Sequence, residues 1–186
     1  MRIETDRLTL RPMSGAELKR AERDLEGVVR SYGASLPHIG FWEMRSKRKI
    51  YRVKRELIEE NPHCWLIGTS WLILHREKRA YIGEAGFKGP PLRRASVEIG
   101  YGILDPFRCQ GYMTEAAGAL IRLAFCQTAC KVERVSALTL PENMASHRVL
   151  EKNGFERQPS FGKYWIWERV RKPEDTTEGL IFHDNC

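Results

Sequence analysis

The sequence predicts an α/β domain whose central sheet is mixed, mostly antiparallel, and flanked by helices. Three observations predict it. Apolar periodicity switches repeatedly between two and about 3.6 residues along the chain. Three strand-like runs lie close together between residues 64 and 104, which suits hairpins. A helical run then separates "SVEIGYGIL" from "VERVSALTL", which supplies one parallel crossover. The 186 residues suffice for one well-buried core. No repeat or low-complexity linker divides them, so residues 1–172 are expected to form a single domain, followed by a polar tail over 173–186.

In chain order, "RLTLRPM" alternates Leu8 and Leu10 with polar neighbours and reads as a strand ended by Pro12. Residues 15–31 and 41–60 carry helical spacing and many charges. "CWLIGTSWLILHRE" and "AYIGEAGFKG" read as two strands joined by the charged turn from Glu77 to Arg79, and "SVEIGYGIL" as a third, closed by Asp105 and Pro106. In "TEAAGALIRLAFC", Ala116, Leu120, Leu123 and Ala124 form one helical stripe. "VERVSALTL" is again a strand and "ENMASHRVLEKNG" a helix stopped by Gly154. "YWIWERV" is a last strand after "FERQPSF".

Hydrophobic residues at 42% and charged residues at 30% describe a soluble globular chain. The formal charge of +7 suits an anionic ligand. The basic run from Arg45 to Arg55 is offset by Glu43, Glu56, Glu59 and Glu60 and reads as a solvated helix face, so no nucleic-acid partner is expected. No run of 18 apolar residues suggests a membrane span, and "MRIETDRLTLRPM" does not resemble an export signal. The five cysteines lack framework spacing, so a reduced, cytoplasmic chain is expected. Cys126 and Cys130 lie four apart on an expected helix, with His147 distant. They read as core fillers, and no metal is expected. His63, His75 and His147 read as surface or edge residues.

The informative stretch is "DPFRCQGYMTEA", Asp105 to Ala116. A strand ending near Leu104 and a helix beginning near Thr114 would bring the amides of Gln110, Gly111, Tyr112, Met113 and Thr114 to a helix N-terminus without intrahelical acceptors. Such a terminus favours an anion. Gly111 permits a tight turn close to a phosphate, and Arg108 adds charge. The plain alternative is an ordinary helix capped by Thr114 and Asp105, with water on the remaining amides. The stretch fits neither G-x-x-x-x-G-K-[ST] nor G-x-G-x-x-G.

It does resemble the R-x-x-G-x-[GA] loop of the GNAT superfamily of N-acetyltransferases, with Arg108, Gly111 and Met113 in the motif positions and Met113 departing from the usual Gly or Ala. "ETDRLTLRPM", "VEIGYGI", "GYMTEA" and "NMASHRVLEKNGF" are similar, in order, to segments of the RimJ/RimL-type ribosomal-protein acetyltransferases. The resemblance implies acetyl-CoA as cosubstrate, with its pyrophosphate on the loop amides. It also implies that backbone groups near Ile103 and Asp105 pair with the pantetheine arm, that Asn143 contacts the cofactor, and that Ser146 reaches the sulfur. Many members carry a tyrosine as thiolate acid where Leu150 stands. A leucine cannot donate a proton, which leaves Ser146 or a water.

Strand period places Val97, Ile99, Tyr101 and Ile103 on one face and Glu98, Gly100, Gly102 and Leu104 on the other. A carboxylate on an interior strand is costly unless paired or lining a cleft, so Glu98 is the candidate general base, and it matches the Glu of the resembling subgroup. Its plain alternative is an ion pair with Arg93 or Arg94. Glu84 is a second candidate. Cys109 lies on the phosphate side, away from any thioester. These residues point to acetyl transfer to a primary amine in a ternary complex. The competing reading is an inactive CoA-binding sensor of the same fold. The acceptor stays open among a peptide N-terminus, an amino acid and a small amine, and a monomer and a homodimer are both compatible.

Overall fold

The computed structural model describes residues 1–89, 95–159, 162–175 and 181–183. The alternation of Leu8 and Leu10 becomes strand β2 (Leu8–Pro12), which pairs antiparallel with β1 (Arg2–Glu4), Ile3 opposite Leu10. Ser14 opens helix α1 (Gly15–Ala21) through a reciprocal box: the Glu17 amide donates to Ser14 Oγ (3.3 Å) and the Ser14 amide to Glu17 Oε2 (2.8 Å). The single helix predicted over 15–31 is in fact two. Asp24 accepts from the Gly27 amide at 2.7 Å and starts α2 (Leu25–Ser31), because a side chain that caps a new N-terminus competes with continuation of the old helix. Helix α3 (Phe41–Glu60) has the predicted bounds. The strand expected from Cys64 begins only at β3 (Ser70–His75). Pro62 opens a single 3₁₀ turn, Pro62–Cys64, followed by the short helix α4 (Trp65–Gly68).

The chain continues with β4 (Ala80–Phe87), β5 (Ser96–Ile103), α5 (Tyr112–Cys126), β6 (Arg134–Thr139), α6 (Met144–Lys152), β7 (Glu156–Gln158) and β8 (Trp165–Val170). Within the stretch read as a tail, β9 (Ile181–His183) pairs antiparallel with β1. The described strands form one sheet in the order β7-β8-β6-β5-β4-β3-β2-β1-β9. Only β5 and β6 pair in parallel among them, and α5 is the crossover that this requires. Asn153 locks α6 against α5, its Nδ2 donating to the Thr114 carbonyl at 3.2 Å. A Cβ at Gly118 would stand 2.7 Å from Asn153 Oδ1, so glycine permits this close approach.

The two faces of the sheet carry separate cores. Val97, Ile99, Ala85 and Phe87 pack with α5, while Leu72, Leu74 and Tyr81 pack with α1, α2 and α3. A register shift between Ile73 and Leu74 places Leu74 opposite Tyr81 and Leu72 opposite Glu84. The extra residue re-aims the strand, so Tyr81 and Glu84 share the α3 face although three residues apart. Cys130 lies beyond the end of α5 and is joined to Cys64 as a disulfide, Cα–Cα 5.6 Å, where reduced cysteines were expected. The pair is 66 residues apart in sequence, so its proximity is a product of the tertiary fold.

Candidate active site

After β5 the chain makes one 3₁₀ turn, Asp105–Phe107, passes through Cys109 at φ 60° and Gly111 at φ 80°, and enters α5 at Tyr112. Gly111, not Thr114, occupies the cap position, and no side chain caps the helix. Among the described residues, the amides of Gln110, Gly111, Tyr112, Met113 and Thr114 meet no acceptor. The side chains of Tyr112 and Met113 are buried, so the Met that departs from the family motif serves the core while its amide stays in the row. The Lys78 amide donates to His75 Nδ1 (3.2 Å), which leaves the proton on Nε2 to be donated to the Tyr112 hydroxyl (2.9 Å). His75 is thus a buried support of the loop, not the edge residue expected.

Arg7 has a role that sequence reasoning missed. Its Nε donates to Glu115 Oε2 (2.8 Å), its Nη1 to the Gln110 carbonyl (2.9 Å), and its Cζ lies 4.4 Å from the centre of the Tyr112 ring. Thr5 donates to Glu115 Oε1 at 2.6 Å. Burial pushes the Glu115 carboxyl up, but hydrogen bonds from Thr5 and Arg7, together with the Arg7 charge, hold it below its ordinary value. The position of a Cβ on Gly111 is 3.3 Å from Arg7 Nη2, so this guanidinium stands against the loop. Arg108 by contrast is exposed and ion-paired with Asp105 at 2.8 Å. The available signal was the position of Arg7 inside "ETDRLTLRPM".

The register of β5 and β6 forms a wedge. Ser96, Val97 and Glu98 pair with Arg134, Val135 and Ser136, and there the pairing stops. Ile99 to Ile103 keep β4 on one edge and, among the described residues, have no strand on the other, while β6 stays paired with β8 to Thr139. The slot opens at Glu98 and runs along Ile103 toward Asp105 and the α5 terminus. Its free backbone edge suits an extended chain laid as an added strand.

Helix α6 starts beside this slot. Asn143 caps it, its Oδ1 accepting from the Ser146 amide at 3.1 Å. Ser146 is half-buried, and its carbonyl accepts from the Tyr101 hydroxyl at 3.4 Å. Burial pushes the Tyr101 hydroxyl up to about 12, partly opposed by its bond at Ser146. Leu150 is buried in the core. His147, expected at the surface, is 2% exposed, stacked on Trp165 at 4.5 Å and within 3.0 Å of Thr139 Oγ1. Cys126, Cys130 and His147 do not converge.

On the opposite face, Glu98 lies on the same side as Gly100, Gly102 and Glu84. Its Oε1 is 2.5 Å from Lys88 Nζ; Arg93 and Arg94, the partners considered from sequence, fall outside the described residues. Glu84 is buried and saturated. Tyr51 and Tyr81 donate to its Oε1, Ser70 approaches Oε2 at 3.4 Å, and Lys47 Nζ is 3.3 Å away. Burial first, then the Glu84 charge, pushes both tyrosines far above their ordinary range. A carboxylate so occupied holds α3 to the sheet, whereas Glu98 is half-buried at the mouth of the wedge.

A strand pair that parts beside an uncapped helix N-terminus gives this α/β protein an open backbone edge leading to a row of free amides. Residues 7–156 match the family described as "Acetyltransferase (GNAT) domain", and the chain belongs to it. Its relatives include the "Uncharacterized N-acetyltransferase YjdG" of Bacillus subtilis (strain 168), 28% identical over 174 residues that span 91% of this chain and 98% of the relative. Solved structures of the same fold include RimL in complex with coenzyme A, TM-score 0.64 at 16% identity, covering 91% of this chain and 98% of that one. RimJ of Mycobacterium smegmatis in complex with CoA-disulfide has TM-score 0.62 at 17% identity, covering 91% and 87%.

Proposed function

We propose that this protein transfers the acetyl group of acetyl-CoA to a primary amine by direct attack in a ternary complex. One observation carries the reading: the parting of β5 and β6 after Glu98 and Ser136 makes a slot from a carboxylate to a row of unpaired amides. Acetyl-CoA supplies the activated thioester. The amides from Gln110 to Thr114 bind its pyrophosphate, with Arg7 and Arg108 adding charge. The open edge of β5 around Ile103, continuing to Asp105, takes the pantetheine arm, and the exposed Asn143 borders it from α6.

Glu98 accepts a proton from the amine as its nitrogen bonds to the acetyl carbon. The carbon–sulfur bond breaks, the Ser146 hydroxyl gives a proton to the departing sulfur, and the proton taken up by Glu98 returns to Ser146 through solvent. No covalent acyl-enzyme is needed. Cys109 is exposed, but it lies in the phosphate loop, away from the wedge.

The test is calorimetric titration of acetyl-CoA into the wild type and Glu98→Gln, followed by thiol release with peptides, amino acids and amines. Binding by both, with turnover lost only in the variant, is expected. Binding without turnover of any acceptor would replace the enzyme with a CoA sensor, and absence of binding would overturn the reading.

A further inference from the structure

Two ammonium groups stand on the α3 face near this end of β5, Lys88 beside Glu98 and Lys54 beside Gly86, and Lys54 has no carboxylate partner among the described residues. Lys54 is 7% exposed, and its Nζ donates to the Phe87 carbonyl. The position of a Cβ on Gly86 is 3.8 Å from that nitrogen. Gly86 pairs with Gly100, where a Cβ would stand 3.4 Å from Lys88 Cε, and Lys88 reaches on to Glu98. Gly102 continues the same row with no atom within 4 Å of its Cβ position. The sheet therefore offers a floor bare of side chains at Gly102, with the Lys88 side chain lying over Gly100, Lys54 over Gly86 and Glu98 at the end of the row.

Burying an ammonium without a counter-charge is costly, and a carbonyl supplies only a dipole. Burial first, then the neighbouring Lys88 charge, pushes Lys54 down to about 8. Lys47, on the same helix, shows the contrasting arrangement, with Glu84 and the Tyr81 hydroxyl as partners. An anion placed between Lys54 and Lys88 would supply the missing charge. It would also share Lys88, which otherwise occupies Glu98. Lys88 already touches Glu98, and Lys54 lies over Gly86, diagonally across the strand pair from Glu98 at about 7–8 Å. An acceptor that reaches both must carry its anion close to its amine.

We infer that the acceptor is an amino acid, or a small aminocarboxylate of the same kind, whose carboxylate is held by Lys54 and Lys88 while its amine faces Glu98. The inference rests on the proposed acetyl transfer and narrows its acceptor. A free carboxylate excludes simple amines and peptides whose first carboxyl is an amide.

The experiment compares the twenty standard amino acids with their carboxamides on the full chain. It measures thiol release at saturating acetyl-CoA and, separately, calorimetric binding of each acceptor to the CoA-loaded protein. At least one amino acid is expected to exceed its carboxamide by about a hundredfold in kcat/KM and in affinity, since a site built for a polar group rejects the analogue lacking it. Lys54→Met and Lys88→Met should shrink that ratio about tenfold or more while the Kd for acetyl-CoA stays unchanged. Lys54→Gln serves if the Met variant does not fold. A lysine that merely anchors the Phe87 carbonyl would alter thermal stability and leave the ratio untouched, which would overturn the inference. So would carboxamides or peptides bound as well as amino acids, or no amino acid bound at all. Selective amino-acid binding without turnover would uphold the anion site and overturn the transferase reading instead.

Discussion

Arg7 and Glu115, 108 residues apart, join the entry to β2 to the first turn of α5 through two hydrogen bonds of 2.8 and 2.9 Å, from the Arg7 side chain and its amide. The contact orders the loop ahead of α5, because the same guanidinium holds the Gln110 carbonyl and covers Tyr112. Arg7→Ala should weaken acetyl-CoA binding about tenfold, the worth of roughly 1.4 kcal/mol, and leave the acceptor KM unchanged. Glu115→Gln should destabilise the fold at neutral pH by about 1 kcal/mol. A carboxyl held below its ordinary value contributes stability above its unfolded value near 4.5 and loses it as pH falls through the folded one. The difference between wild type and Glu115→Gln should therefore vanish in acid, as measured by denaturant melts at several pH values.

Gly111→Ala should affect ligand more than fold. The left-handed backbone at φ 80° costs a non-glycine residue roughly 1–2 kcal/mol, and the added methyl meets Arg7 at 3.3 Å. Cys109 already tolerates φ 60° in the same loop, so the chain should still fold. Thermal melts should move by a few degrees, while calorimetry should show acetyl-CoA affinity reduced by more than that strain alone, because the methyl presses on the guanidinium that holds the loop at the Gln110 carbonyl.

The two buried-face carboxylates should separate cleanly by phenotype. Glu98→Gln should lower kcat by about 10² to 10⁴ with little change in melting temperature. Glu84→Gln should do the reverse, costing about 3 kcal/mol in stability, since two tyrosines and Lys47 lose their common acceptor charge. Equal loss of kcat in both variants would count against Glu98 as the base.

Lys54 should make the fold more stable in alkali. Its folded value of about 8 lies below the ordinary 10.5, so between them the unfolded chain binds more protons and stability rises with pH. The gain should be a few kcal/mol, at about 1.4 kcal/mol per pH interval, and Lys54→Met should abolish it. Urea melts from pH 7 to 10.5 test this. A saturating acceptor carboxylate should flatten the same curve by keeping the lysine charged.

Much of the fold was legible because hydrophobic period is a local property. The alternation in "SVEIGYGIL" placed Glu98, Gly100 and Gly102 on one face, and the helical stripe of α5 appears where its apolar residues recur. The split of 15–31 at Asp24 was missed because Asp within a helical pattern announces a cap only once its partner amide is positioned. The strand start at Ser70 was missed because "CWLIG" is apolar at both periods.

By itself the sequence determined the order of strands and helices, the glycine turn ahead of α5 and the carboxylate on β5. These depend on neighbours a few residues away, through sterics and periodicity. Only the tertiary structure decided that β5 and β6 part at Glu98, that Glu84 is consumed by Tyr51, Tyr81 and Lys47, that His75 and His147 are buried, and that Arg7 stands against the Gly111 loop. Those outcomes rest on strand register and on which distant side chains share a buried volume, and charge and burial act there through space, without regard to separation along the chain.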